Sequence, residues 1–398
     1  MSRSMLRPCT RGVPTALVVI VLLGACSTGG GPAGASATPV APEPATKSLK
    51  AAYANSFMVG GAINLDQFNE RDQRGVSIIR SQFNTVTSEN ILKWEHVHPQ
   101  LGQYAFAEPD RFVAFGEKNG MFVVGHTLVW HSQTPRWVFF DAGGNRVSRD
   151  TLLARMRDHI YTVVGRYKGR IKGWDVVNEA VDEDGSLRKS LWHEIIGPDY
   201  IEKAFQWAHE ADPQAELYYN DYSVENAPKR NGVVNLVKNL QAKGIRITGV
   251  GLQGHNRLEW PTLAQQDSTI AAFGALGLKV AITELDIDVL PRATRAQTAD
   301  VSVSAAPSAG LDPYGAGLPD SVQQALARRY ADLFGVYAKH RGTVTRVTFW
   351  GVADGDSWLN NWPIRGRTSH PLLFDRAGQP KPAFDAVIRA AEKPAFVP

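Results

Sequence analysis

Residues Lys279–Asp288 read KVAITELDID. β-Branched and apolar residues fill the first half and three acids punctuate the second, the pattern of a strand that starts in a core and ends at a polar opening. Side chains alternate along a strand, so Ile282, Glu284 and Asp286 share one direction. Seven other runs have this character: Phe57 to Asn64, Phe83 to Asn90, Met121 to Trp130, Ile171 to Glu179, Glu216 to Asp221, Ile247 to His255 and Val344 to Asp354. Between them lie helical stretches such as Tyr200 to Ala211 and Asn231 to Lys243, whose apolar residues recur at three and four and which stop near Pro213 and Gly244. Eight alternating units predict an α/β fold, a closed (β/α)8 TIM barrel forming a single catalytic domain over 48–398. A doubly wound open sheet is the competing fold, but no GxGxxG turn follows the first strand.

Outward from the barrel, the amino terminus reads as an address. Arg3, Arg7 and Arg11 precede the apolar run Ala16 to Leu23, which is too short to span a bilayer and fits a secretory signal over 1–25. The run ends in Leu23, Gly24, Ala25 and Cys26, an order that resembles a bacterial lipobox. Cleavage before Cys26 would leave an acylated residue at the new terminus, anchoring the chain in a lipid bilayer at the cell envelope. Ser27 in place of Asp points to the outer membrane. Cys9 would leave with the signal, so no disulfide is expected. Residues 26–47 are rich in Ser, Thr, Gly, Pro and Ala and read as a tether.

Composition narrows the function classes. With 43% hydrophobic and 21% charged residues, the chain is neither disordered nor a polytopic membrane protein. Without the signal, 40 basic residues face 39 acidic ones, too even a balance for a nucleic-acid partner. A monomer is expected.

Six of the eight runs close in polar or aromatic residues: Glu89 and Asn90, His126 and Trp130, Asn178 and Glu179, Asn220 and Asp221, Gln253 and His255, Glu284 and Asp286. Carboxyl ends of barrel strands converge on one mouth, so these residues should share a cleft. Glu179 and Glu284, on non-adjacent strands, could face each other across a sugar, one protonating the leaving oxygen and the other attacking or activating water. Each glutamate alone could equally be half of a surface ion pair. His255 stands between them in sequence and could orient Glu284, with Asp286 fixing its tautomer. A metal site built on His96, His98, His126 and His131 lacks ligands in register, so no metal and no cofactor is expected. Among ten tryptophans, Trp94, Trp130, Trp350 and Trp358 lie at or beyond strand ends, where indole faces stack on sugar rings. Trp174 and Trp207 belong in the core, and Trp137 and Trp192 have no evident place.

Taken together, TSENILKWE (Thr87 to Glu95), GHTLVWHSQTP (Gly125 to Pro135), WDVVNE (Trp174 to Glu179), NDY (Asn220 to Tyr222), VGLQGH (Val250 to His255), ITELDI (Ile282 to Ile287) and FWGVADGDSWL (Phe349 to Leu359) resemble the family 10 glycoside hydrolases. Typical members are endo-1,4-β-xylanases. The resemblance implies a retaining mechanism with Glu179 as acid/base, Glu284 as nucleophile, and His255 with Asp286 tuning the nucleophile. It implies that Asn178 bonds the sugar 2-hydroxyl and that Gln253 contacts the acid/base region. Glu89, Asn90, Lys93, His126 and Gln133 would bind xylose hydroxyls, Trp130, Trp350 and Trp358 would be platforms, and Tyr222 would lie on the leaving-group side. Trp358 and Gln133 match positions that crowd a hydroxymethyl group. Retention implies carboxyl groups about 5 to 5.5 Å apart and a raised pKa at Glu179. Asn256 through Glu259 depart from the pattern, and Val289 to Leu318 reads as a long loop beside the nucleophile. A glycan-binding lipoprotein without turnover, or the same chemistry on a β-glucan, are the alternatives.

Overall fold

A computed structural model of the chain describes residues 48–291 and 309–392. The signal, Cys26 and the tether lie outside these residues, as do residues 292–308 of the long loop.

Nine strand segments form the barrel: β1 Met58–Ile63, β2 Thr85–Ser88, β3 Phe122–Trp130, β4 Gly173–Asn178, β5 Glu216–Asp221, β6 Gly249–Leu252, β7 His255–Arg257, β8 Lys279–Asp288 and β9 Val344–Phe349. Every ladder between them is parallel. The sheet closes because β9 pairs with β1 and β6 pairs with β8. The staves number eight, since β6 and β7 are one stave broken at Gln253 and Gly254, both halves lying on β8. Gly254 makes the break possible: its φ is +78°, and a Cβ there would sit 3.0 Å from the Ile282 side chain.

Each expected strand coincides with a stave, and Tyr200–Ala211 is helical with the predicted bounds. Two boundaries differ by more than two residues. The helix predicted from Asn231 begins at Ala227, because Pro228 sits in its first turn, where no N–H is needed. The run predicted to reach Asp354 stops pairing at Phe349 and continues as short 3-10 turns at Asp354–Asp356 and Trp358–Asn360.

The core lies between the barrel and its helices. Leu152, Met156, Ile160, Val163 and Val164 of Arg149–Arg166 are buried, as are Ile201, Ala204, Phe205 and Ala208 of Tyr200–Ala211. Ser148 caps the first of these by accepting from the Thr151 N–H. Trp174 is fully buried and fits only because its neighbour is Gly125, where a Cβ would approach its ring to 2.1 Å. Trp207 is half-buried against the same core. The described end of the long loop is tied down: Asp312 accepts from the Thr368 N–H at 3.1 Å and the Tyr314 carbonyl meets His370 at 3.1 Å.

Candidate active site

Apart from Trp94, the residues expected to bind sugar or catalyse line one cleft of about 890 Å³ at the carboxyl ends of the strands, while Asn220 and Asp221, also expected there, are buried and do not line it. Glu179 directly follows β4 and Glu284 lies within β8, so barrel closure brings together side chains 105 positions apart in sequence.

Strict alternation would send the adjacent Asn178 and Glu179 to opposite sides, yet both face the cleft. Glu179 adopts a left-handed backbone, φ 56°, which turns its side chain inward just past the last paired residue. Its peptide is held on both sides, the N–H donating to the Asn220 carbonyl at 2.9 Å and the carbonyl accepting from Arg188 Nε at 2.8 Å. One carboxylate oxygen accepts from Trp130 Nε1 and the other from Gln253 Nε2, each at 2.8 Å. Burial raises its pKa; these two donors work against that, and the Glu284 charge adds to the rise.

Glu284 sits in a different field. Its oxygens meet His255 Nε2 at 3.2 Å and Asn220 Nδ2 at 2.9 Å. Burial pushes its pKa up, but the His255 bond, the His126 and His255 charges and Asn220 outweigh it and hold the carboxyl below the usual range. The other ring nitrogen of His255 meets Asp286 Oδ2 at 3.0 Å, and Trp358 Nε1 donates to the same oxygen at 2.8 Å. Against burial, Asp286 and Glu284 raise the His255 pKa to about 10. The ring is therefore an imidazolium clasped by two carboxylates at neutral pH. Glu284 and Asp286 thus stand at the two ring nitrogens of His255.

On the other flank, Lys93 Nζ donates to Asn90 at 2.9 Å and to Gln133 at 2.8 Å, and Gln133 in turn donates to Glu95 at 2.9 Å. Burial raises the pKa of Glu89, and the Lys93 charge opposes the rise. His126 Nδ1 lies 3.0 Å from Asp175 Oδ2, and Trp350 packs edge-on to His126 with ring centroids 5.4 Å apart. Trp358 tilts over His255 at 4.8 Å and stacks on Trp362 at 4.8 Å. Tyr222 receives Arg188 Nη2 at its hydroxyl, 3.0 Å.

Several side chains act in the site in ways that the sequence did not assign. Asn220 is the hub of the site, its amide donating to both Asn178 and Glu284 while its carbonyl oxygen accepts from Thr283 at 2.6 Å. Trp192 is buried and donates to the Trp130 carbonyl at 2.9 Å, propping the residue that holds Glu179. Trp260 and Trp362 also line the cleft. Trp94, read as a mouth residue, lies beneath it instead, buried and stacked on His159 with centroids 3.7 Å apart. The strand after Glu89 gives way to a turn of helix, Trp94–Val97, which points the indole inward.

Residues 48–390 match the family model described as Glycosyl hydrolase family 10. Endo-1,4-beta-xylanase A of Xylanibacter ruminicola is 45% identical over 350 residues, which cover 88% of this chain and 94% of that protein. A beta-1,4-xylanase of Dictyoglomus thermophilum is 42% identical over 345 residues, covering 86% and 90%. Among solved structures, a GH10 endoxylanase retrieved from sugarcane soil metagenome superposes with a TM-score of 0.82 at 45% identity, covering 87% of this chain and 99% of the other. The xylanase XynB of Paenibacillus barcinonensis, complexed with a conduramine derivative, gives 0.77 at 40% identity, covering 86% and 98%. The motifs, the closed barrel and these likenesses agree: the chain belongs to glycosyl hydrolase family 10.

Proposed function

We propose that this chain is an endo-1,4-β-xylanase that cleaves internal bonds of xylan by retaining double displacement. The observation that carries this reading is the contrast between two carboxyls in one cleft, Glu179 with its pKa raised and Glu284 with its pKa lowered. Glu284 attacks the anomeric carbon while Glu179 donates its proton to the glycosidic oxygen; the C–O bond breaks, a neutral sugar hydroxyl leaves, and a glycosyl ester forms on Glu284. Water then attacks the same carbon as Glu179 takes its proton, and the Glu284 carboxylate is released. Glu179 must be ionised for this second step, and the N–H groups of Trp130 and Gln253 stabilise that form. Asn178, held by Asn220, is the partner of the 2-hydroxyl. Lys93, Asn90, Glu89, Gln133 and His126 receive the glycone sugars, Trp350 and Trp358 wall them, and Tyr222 receives the leaving sugar.

A protein that only binds glycans has no need of an imidazolium poised on one of two opposed carboxyls. Release of reducing ends from soluble xylan by the wild type, lost in Glu284→Ala, is the expected result. Undiminished release by Glu284→Ala would overturn the assignment.

The address is part of the same proposal: a secreted enzyme held at the envelope by acylated Cys26. Membrane fractions should contain the wild type, and Cys26→Ser should release it to the soluble fraction. Equal partitioning of both would remove the anchor.

A further inference from the structure

Lys229, on the helix Ala227–Ala242, has a fully buried side chain, an unusual place for a lysine. Its ammonium lies 3.4 Å from the centre of the Tyr222 ring, 2.9 Å from Asp221 Oδ1 and 3.3 Å from Glu183 Oε1. Burial opposes the charge, but Asp221, Tyr222 and Glu183 outweigh it and keep the group protonated. Two routes lead from this cation to the reaction centre. On one, the second Asp221 oxygen accepts from the Tyr219 hydroxyl, which itself accepts from the Ala180 N–H at 3.0 Å. Ala180 follows Glu179, whose backbone is left-handed. The other route passes through the Tyr222 ring, whose hydroxyl is held by Arg188, and Arg188 also grips the Glu179 carbonyl.

We propose that Lys229 is a positioning residue for the acid step. Through Asp221 and Tyr219 it fixes the peptide that aims Glu179, and through Tyr222 it fixes the seat of the leaving sugar. One buried cation therefore ties leaving-group binding to leaving-group protonation. The proposal rests on the functional reading above and extends it to residues that touch neither substrate nor the reacting atoms.

The test uses two substrates with the same xylobiosyl glycone, a xylo-oligosaccharide and an aryl xylobioside whose acidic phenol leaves without protonation. Tyr219→Phe cuts the first route and keeps every charge. It should lower kcat on the oligosaccharide by about 10-fold or more with KM little changed, because small misplacements of a reacting group are costly in rate. In kcat/KM, which reports bond cleavage and not the later hydrolysis in which Glu179 acts as base, the aryl substrate should lose less than about 3-fold, since general-acid help contributes little there. Lys229→Met cuts both routes and should also raise KM for the oligosaccharide. Equal losses on the two substrates, or none, would overturn the positioning role. If Lys229→Met does not fold, Tyr219→Phe decides alone by the same criterion. A wild type inactive on both substrates would overturn the functional reading and this proposal with it, whereas an active wild type with evenly impaired variants overturns the positioning role only.

Discussion

Replacing His255 by Asn removes the one cation that Glu284 and Asp286 share. Raising an imidazole pKa from 6.5 to about 10 corresponds to roughly 5 kcal/mol of preference for the charged form, at 1.36 kcal/mol per pH unit. Asp286 is the stronger partner, and Glu284 takes the smaller share of that preference. His255 lowers the Glu284 pKa, so its loss raises it, and the nucleophile ionises only at higher pH. The acid limb of kcat/KM on an aryl xylobioside should therefore move to higher pH in His255→Asn. The charge on His255 also carries a stability signature with a definite sign. Its folded pKa exceeds the unfolded one, so the contribution is full below pH 6.5 and disappears as pH rises toward 10. Wild-type Tm should fall across that window more steeply than that of His255→Asn. An acid limb at the same pH in both proteins, with parallel Tm profiles, would refute the account of the imidazolium.

Other consequences are separately measurable. In Glu284→Gln, titration of Glu179 should show its pKa reduced but still above the ordinary carboxylate range, since burial is the larger cause and the Glu284 charge a lesser one; an unchanged value would remove the coupling. Trp358→Ala should narrow the preference for aryl xylobioside over aryl cellobioside by opening the wall beside His255, and equal kcat/KM for both in the wild type would remove the shape argument. Lys381 pairs with the fully buried Asp354 at 2.9 Å, so Lys381→Met should cost about 3 kcal/mol in chemical denaturation while each folded molecule stays active. Burial lowers the pKa of His98 to about 4 and that of His159 well below 6.5. Both must be neutral in the fold, so stability should decline as pH falls from 6.5 toward 4, and His98→Asn should flatten that decline.

The barrel was legible because its eight staves are bounded runs, and closure forces their polar ends together whatever the helices do. The two carboxylates and His255 stood out by their places at strand ends, whereas the glycone-side roles came from the family resemblance. What escaped was conformational or depended on distant partners. Nothing in WDVVNE announces that Glu179 turns left-handed, though only that turn lets it share a side with Asn178. Lys229 lies just before the stretch read as a helix, and its partners Asp221 and Tyr222 stand at the end of β5, distant from it in pattern. Trp94 was placed by its distance from a strand end, whereas the helical turn it begins sends it under the floor of the cleft. Asn220 was expected at the cleft as a strand-end polar residue, but its three side-chain bonds depend on barrel register.

The central claim is that Glu284 forms the bond to the sugar while Glu179 supplies and removes the proton. Trapping with a 2-deoxy-2-fluoro xylobioside carrying an activated leaving group, followed by peptide mapping, tests it most directly. The account predicts one glycosyl adduct per chain, on the peptide containing Glu284. An adduct on Glu179, or turnover of xylan with no trappable intermediate and inverted product, would contradict it.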